Sequence, residues 1–122
     1  MQVRALRGAT TVEKNDANEI LLETKHLLER IIEENDLKEE DIASVIFTVT
    51  QDLNAAFPAV AARQIGWTNV ALMCMVEIDV PGSLRSCVRI LIHFNTDKPN
   101  SELNHVYLKG AEVLRPDLKN KL

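Results

Sequence analysis

The chain has 122 residues, and 46% of them are hydrophobic, which is enough to build the core of one compact domain. Its 14 basic and 18 acidic residues give a net charge of −4, so it lacks the broad positive field that nucleic acid or an anionic membrane surface attracts. No apolar stretch approaches the roughly 18 residues of a membrane span, and the N-terminus shows no signal-type apolar core. These features predict a single cytoplasmic domain over residues 1–122, with no nucleic-acid or membrane partner.

The first part of the chain predicts a strand followed by a long helix. Residues 3–6 are typical of a strand. Asp16, with Glu19 three residues later, forms the pattern of a capping box, and apolar residues at helical spacing follow it. We therefore expect an amphipathic helix that begins after Asp16 and ends near Asn35.

The middle of the chain predicts three further strands and one short helix. Residues 44–49 are β-branched and aromatic, and residues 58–66 begin with proline and end with glycine, as a short helix often does. Residues 70–78 and 84–94 read as two more strands, and the Pro-Gly pair between them is a strong turn signal. We expect these last two strands to form a hairpin.

Near the C-terminus the sequence predicts only short elements. Residues 101–108 favour a short helix, and residues 111–114 favour a last extended segment. Strands and helices alternate along the whole chain without a linker or repeat. The prediction is an α+β fold, α/β-like in its alternation, with a mixed β-sheet and helices packed on one face.

Two arginines stand where a fold alone has little use for them. Arg7 precedes the small residues Gly-Ala-Thr-Thr, and Arg89 lies inside the apolar run 87–92. A guanidinium does not lose its charge in a protein, so burying it without a partner is costly. These placements indicate either a buried carboxylate partner or an anionic ligand.

Period-two geometry suggests a partner for Arg89. The even-numbered residues 88–94 form an apolar core face, and Arg89 lies on the opposite face of its strand. Across the expected hairpin, Glu77 can place its carboxylate near Arg89. Apolar replacements of a buried ion pair are often neutral or stabilising, so such a pair is weak evidence for a stability role. The residues by themselves leave a structural pair and a functional site both open.

The usual catalytic signatures are missing from the sequence. The chain has no GxSxG, CxxC, HExxH or glycine-rich phosphate loop, and its three histidines are scattered. Cys74 and Cys87 lie in strand-like apolar surroundings, so we expect reduced thiols rather than a disulfide or a metal site. The sequence therefore offers few candidate groups for nucleophilic or acid–base catalysis.

Six segments, in order across nearly the whole chain, closely resemble the monofunctional chorismate mutases of the Bacillus type. These segments are residues 6–13, 52–59, 74–80, 87–89, 105–108 and 113–118. The resemblance implies conversion of chorismate to prephenate by an intramolecular Claisen rearrangement, in phenylalanine and tyrosine biosynthesis. It also implies a homotrimer that forms a pseudo-α/β barrel with active sites at the subunit interfaces, and no cofactor or metal.

The missing machinery fits this resemblance. A unimolecular pericyclic step needs a compact substrate conformer and stabilisation of the charge that develops on the breaking ether oxygen. By resemblance, Arg89 is the cation that meets this oxygen, and Glu77 orients Arg89 and contacts the substrate hydroxyl. Arg7 matches the residue that binds a substrate carboxylate, helped by Tyr107. The catalytic residues implied are therefore Arg89, Glu77 and Arg7.

The resemblance also implies contacts from outside this group. Phe57, Ala59 and Arg63 match the wall that the neighbouring subunit supplies to the site. Leu114 and Arg115 match a tail that can cover the bound substrate. Each of the apolar residues among them could equally serve interface packing alone.

Two further substrate-binding positions lie on the third predicted strand, at Met73 and Cys74. Because Cys74 has the opposite parity to Glu77, a contact through its backbone or a local bulge is easier than one through its side chain. The family member used for comparison has threonine at position 73 and lysine at position 60, where this chain has Val60. The second difference removes a cation, for which Arg63 or Arg115 could compensate.

Other classes of protein remain compatible with the sequence. A trimeric protein that binds small carboxylates, an imine-deaminase-like relative, and an interaction protein whose arginines staple an interface are the alternatives. Residues 116–122 are expected to form a mobile C-terminal tail.

Overall fold

The computed structural model describes residues 1–116, whose centre is a five-stranded mixed sheet. In the order β3-β2-β4-β1-β5, β4 runs antiparallel to β1 and β2, whereas β3 is parallel to β2 and β5 is parallel to β1. The strands are β1 (Gln2–Thr11), β2 (Ile42–Val49), β3 (Ala71–Val76), β4 (Cys87–Thr96) and β5 (Val106–Tyr107). The helices are α1 (Ala17–Asn35) and α2 (Ala59–Gln64), with 3₁₀ turns at Glu39–Asp41, Asn100–Glu102 and Lys109–Leu114. The predicted α+β class with a mixed sheet is confirmed.

The long helix α1 has the boundaries that its sequence predicts. The Asp16 side chain accepts a hydrogen bond from the Glu19 backbone N–H at 3.1 Å, which satisfies one of the free donors of the first turn. Asp36 ends the helix in the left-handed conformation, with φ of 48°. No helix within residues 1–116 is long and apolar enough to cross a membrane.

Both helices pack on the same face of the sheet. Alternate residues of the three central strands meet the apolar side of α1 and the small residues of α2 in one core. The core includes Leu6, Phe47, Ile90, Ile92, Leu27, Leu28, Ile31, Ala61 and Ala62. Burial of each large apolar side chain contributes about 1.5 to 3 kcal/mol, so this side, called the covered face below, is the main source of stability.

A glycine lets α1 approach β1 closely. A Cβ atom at Gly8 would lie 2.7 Å from Ile31 Cδ1 and 3.0 Å from the Val106 carbonyl oxygen. A side chain at position 8 would require the tip of Ile31 to move and the Val106 carbonyl to shift slightly. The close packing holds the neighbouring Arg7 at a fixed place on the sheet.

The other side of the central strands carries a different set of residues, which we call the open face. It is formed by Arg7, Ile46, Thr48, Arg89 and Leu91, of which Arg7 is exposed and the others are half-buried. At one end, the 3₁₀ helix Lys109–Leu114 packs Ala111 against Ala9 and Cys87. The rest of this face has no helix over it within residues 1–116.

The expected hairpin between the third and fourth strands is wrong. The turn itself exists, because Ser83 N–H bonds to the Val80 carbonyl at 3.0 Å and Gly82 has a φ of 84°. However, β2 lies between β3 and β4 and pairs with both. The connecting segment therefore passes the end of β2 instead of joining neighbouring strands.

Two short predictions near the C-terminus are also wrong. Residues 101–108 do not form a helix, because the backbone of Asn104 exchanges hydrogen bonds of 2.8 Å with the Asn35 side chain and Val106 then pairs with β1. The segment 111–114 is 3₁₀-helical rather than extended, since Gly110 N–H bonds to Thr11 Oγ1 at 3.0 Å and Ala111 is buried. The predicted tail beyond Pro116 lies outside the described residues.

Candidate active site

A pocket of about 340 Å³ lies on the open face, large enough for a small metabolite. Its walls include Arg7 from β1, Arg89 from β4, Tyr107 from β5, and Glu77 just beyond the end of β3. The structure therefore brings together four residues that the sequence analysis selected from distant parts of the chain. The pocket combines two guanidinium groups, one carboxylate and one phenol.

Arg89 and Glu77 form an ion pair in this pocket. Arg89 Nε lies 3.6 Å from Glu77 Oε2, and the side chains are 28% and 25% exposed. The same Oε2 accepts a hydrogen bond from the Thr48 hydroxyl. Arg89 Nε is buried and lacks a hydrogen-bond partner within residues 1–116. The predicted pair is confirmed, but Glu77 reaches Arg89 over the intervening strand β2 and not across a hairpin.

Arg7 is held through its backbone while its side chain is exposed. Its N–H donates to His105 Nδ1 at 3.0 Å, which requires that Nδ1 carries no proton. This bond connects β1 to the segment that leads into β5. The Arg7 side chain projects from β1 and lines the pocket.

Tyr107 closes one side of the pocket. Its hydroxyl is buried, and within residues 1–116 it has no hydrogen-bond partner. An unmet buried hydroxyl costs about 1 to 3 kcal/mol of stability. The Arg115 guanidinium carbon lies 5.9 Å from the centre of the Tyr107 ring, within the range of a cation–π contact. Leu114 and Tyr107 both pack against the small buried cluster of Ala9, Cys87 and Ala111.

The remaining predicted residues lie elsewhere in the chain. Phe57, which is 72% exposed, and Cys74 line a second, largely apolar pocket of about 430 Å³. On α2, Ala59 is buried and Arg63 is exposed, and Met73 is 57% exposed on the edge strand β3. Among the described residues, these five are not part of the wall that holds Arg7 and Arg89.

Sequence reasoning missed two residues that support the site. The first is Thr48, a polar residue in a strand where every second side chain is buried; this alternation was a usable signal for the open face. The second is Asp52, whose carboxylate accepts bonds from the Thr50 hydroxyl and from the Ser86 N–H and hydroxyl. No sequence pattern connects Asp52 to Ser86, which is left-handed with a φ of 52°.

The hydrogen bonds of Asp52 affect its titration. Partial desolvation pushes the pKa of this carboxyl upwards, but bonds donated by Thr50 and Ser86 outweigh it and hold the pKa below its usual value. The charged form is therefore favoured. Asp52 anchors the end of the segment that runs from Glu77 to the start of β4.

No disulfide joins Cys74, which is half-buried, and Cys87, which is buried. Burial raises the pKa of the Cys87 thiol, although the nearby Arg89 charge opposes the shift. Cys87 is fully buried and therefore suits packing, not nucleophilic chemistry. Within residues 1–116, no group of three or more His, Cys, Asp or Glu side chains is arranged to hold a metal ion.

Comparison with known proteins shows which family the chain resembles. Residues 3–118 match the family described as chorismate mutase type I. The chain is 50% identical to chorismate mutase AroH of Bacillus subtilis (strain 168) over 119 residues, which cover 97% of this chain and 94% of that protein. It is 49% identical to chorismate mutase AroH of Thermus thermophilus over 119 residues, covering 97% of this chain and 98% of that protein.

A solved structure shows the same fold. The chorismate mutase from Clostridium thermocellum superimposes with a TM-score of 0.89 at 61% sequence identity, covering 90% of this chain and 98% of that one. Both the sequence match and the structural match extend over nearly the full length of each protein. The chain belongs to the type I chorismate mutase family.

Proposed function

We propose that this protein is an isomerase that converts chorismate to prephenate, in phenylalanine and tyrosine biosynthesis. The observation that carries the proposal is the pocket in which Arg7, Glu77, Arg89 and Tyr107 meet, in a chain of this family. The reaction is an intramolecular rearrangement in which the ether C–O bond breaks while a C–C bond forms. It needs no proton transfer, no nucleophile and no cofactor.

The proposed catalysis has two parts. Holding the substrate in its compact conformer removes the entropic cost of bringing the two reacting carbons together. A cation beside the ether oxygen then stabilises negative charge that grows only near the transition state. Because the second contact is weak in the ground state, it accelerates the reaction and does not merely bind substrate.

Each polar residue of the pocket has a role in this proposal. Arg89 meets the ether oxygen, since its side chain is 28% exposed and lines the pocket beside Glu77. Glu77 orients Arg89 and contacts the substrate hydroxyl. Arg7 binds a substrate carboxylate, and Tyr107 adds its phenolic hydroxyl. Arg115 lies beside Tyr107, where the C-terminal segment can cover the site.

We also propose a homotrimer with shared active sites, arranged as a pseudo-α/β barrel. In one chain, the pocket on the open face is separate from the apolar pocket around Phe57 and Cys74. Large apolar side chains are exposed on and beyond the edge strand β3, where a second copy can bury them. In this arrangement Phe57, Ala59 and Arg63 of one subunit complete the site of its neighbour. The exposed residues are Met73, Met75, Val76 and Ile78.

The cytoplasmic location, the extent of one domain over residues 1–122, and the substrate contacts of Met73, Cys74 and Leu114 stay predictions. The outer position of Met73 on β3 is compatible with a contact to a neighbouring subunit's substrate. Cys74 is half-buried and packs partly towards the covered face.

The function is tested by adding purified protein to chorismate and following both the loss of chorismate absorbance and the formation of prephenate. We expect turnover at an unchanged rate in excess chelator, because the proposed step uses no metal. Binding of chorismate without prephenate would indicate a carboxylate-binding protein instead. Loss of activity on chelation, restored by added metal, would contradict the mechanism.

The trimer is tested by sedimentation equilibrium over the concentration range of the assay. We expect a single species of three chains, and activity that falls in parallel with dissociation on dilution. A fully active monomer would contradict the shared site.

A further inference from the structure

We infer that Thr48 is a positioning residue of this site, which holds the Glu77 carboxylate in the orientation that aligns Arg89; the inference rests on the function proposed above. Thr48 lies on β2, between the strand that carries Arg89 and the strand that leads to Glu77. Its hydroxyl donates to Glu77 Oε2, the oxygen that also lies nearest to Arg89 Nε. The three side chains therefore share one atom as their meeting point.

The sheet register places Thr48 at the centre of this arrangement. On one side Thr48 pairs with Arg89 of β4, and on the other it pairs with Met75 of β3. Glu77 follows Met75 by two residues and lies on the same face. The Glu77 backbone is fixed by a hydrogen bond of 2.8 Å from its N–H to the Val49 carbonyl. This backbone bond does not determine how the Glu77 carboxylate is rotated.

The contact with Arg89 does not by itself determine that rotation. At 3.6 Å, the distance from Arg89 Nε to Glu77 Oε2 is too long for a hydrogen bond, so the attraction between them is weakly directional. The bond from the Thr48 hydroxyl is directional and ends on a charged acceptor, which makes it one of the stronger kinds of hydrogen bond. Threonine is also β-branched, so its hydroxyl has few orientations to lose on forming this bond.

The consequence for the reaction is specific. If Glu77 loses its hydroxyl donor, its carboxylate samples more rotamers, and Arg89 loses its fixed counterpart. Arg89 acts mainly on the transition state in the proposed mechanism, so the loss affects the rate of the chemical step more than the binding of substrate. A purely structural Thr48 would instead change stability and leave the kinetic constants of the folded enzyme unchanged.

The test uses Thr48→Val, which keeps the β-branched shape and removes the hydroxyl. We expect kcat to fall about tenfold and KM to change less than about twofold, the scale of one hydrogen bond to a charged group. Thr48→Ser retains the hydroxyl and should recover most of kcat. Circular dichroism and sedimentation establish that each variant is folded and assembled as the parent protein is.

Thr10→Val is the matched control. Thr10 is a fully buried threonine on β1, and its hydroxyl has no hydrogen-bond partner within residues 1–116. The same chemical change there should leave kcat and KM within about twofold of the parent values, since no directional bond is lost.

The outcomes separate this inference from the proposed function. A parent enzyme that does not turn over chorismate overturns both. An active parent with Thr48→Val as active as Thr10→Val, or with Thr48→Ser as impaired as Thr48→Val, overturns the role of Thr48 alone. If Thr48→Val does not fold, Thr48→Ala and Thr48→Ser give the same comparison, and equal kcat values for these two overturn the inference.

Discussion

The two faces of the sheet are built from alternate residues of the same strands, yet they have different physical characters. On the covered face, Leu6, Phe47 and Ile92 are completely buried beneath α1 and α2. On the open face, Arg7 is exposed, and Thr48 and Arg89 are only half-buried. One face gains free energy by excluding water, and the other retains charged groups that a ligand can use.

The contrast between the two faces explains why an apolar strand tolerates an arginine at its centre. Every second residue of β4 from Val88 to Phe94 is buried, so these side chains, and not Arg89, hold the strand on the core. The scaffold therefore keeps the guanidinium at a fixed position while leaving it accessible in the pocket. Such fixed placement of a charge is the condition for electrostatic catalysis.

The largest effect that separates the two faces is expected at Arg89. Arg89→Gln removes the positive charge but retains a hydrogen-bond donor, and we expect kcat to fall about 10³-fold, equivalent to roughly 4 kcal/mol of transition-state stabilisation. The free energy of unfolding should change little by comparison, because the covered face is untouched. Steady-state kinetics and thermal unfolding measure the two quantities.

Arg7→Ala is the control for this prediction. Because Arg7 is proposed to bind a carboxylate that does not change during the reaction, its loss should raise KM more than it lowers kcat. If the folded Arg89→Gln variant keeps nearly normal kcat, Arg89 is only a structural partner of Glu77 and the contrast between the faces loses its functional meaning.

An effect of the opposite kind, on stability and not on rate, is expected on the covered face. Leu28 of α1 is fully buried, whereas Leu22 of the same helix is 49% exposed. Leu28→Ala should lower the free energy of unfolding by about 2 to 5 kcal/mol through lost burial and the remaining cavity. Leu22→Ala should cost less than about 1 kcal/mol. Chemical denaturation measures both, and equal losses would contradict the assignment of the main core to this face.

The smallest effect is expected in the loop from Glu77 to Ser86, which connects the end of β3 to the start of β4. Asp52→Asn weakens the anchor of this loop, and we expect a loss of about 1 kcal/mol of stability at neutral pH, the scale of one hydrogen bond. Because the pKa of Asp52 is lowered in the folded protein, its contribution is present above the ordinary aspartate value of about 3.9 and is lost as the pH falls through the folded value.

Unfolding measurements between about pH 6 and pH 3 check this sign, since the parent protein and Asp52→Asn should converge in stability at the acid end. Asp79→Asn, in the exposed part of the same loop, is the control. In this variant, the free energy of unfolding should change over this pH range by as much as it does in the parent protein. A parent protein that gains stability over Asp52→Asn as the pH falls would contradict the anchoring role.

Local interactions explain what the sequence by itself determined. The cap at Asp16, the extent of α1 and the burial of every second residue in β4 each depend on neighbours a few residues apart. The resemblance of six segments identified the family, and with it the residues that meet in the pocket. Arg89 also stood out on physical grounds alone, because a permanent charge in an apolar run requires a partner.

Only the tertiary structure decided how distant segments pair. The Pro-Gly turn is a real local feature, yet it does not specify that β2 lies between β3 and β4. Strand order depends on which apolar faces bury most area together, and this is a property of the whole chain. For the same reason the role of Thr48 was invisible, since its bond to Glu77 exists only because β2 separates Glu77 from Arg89.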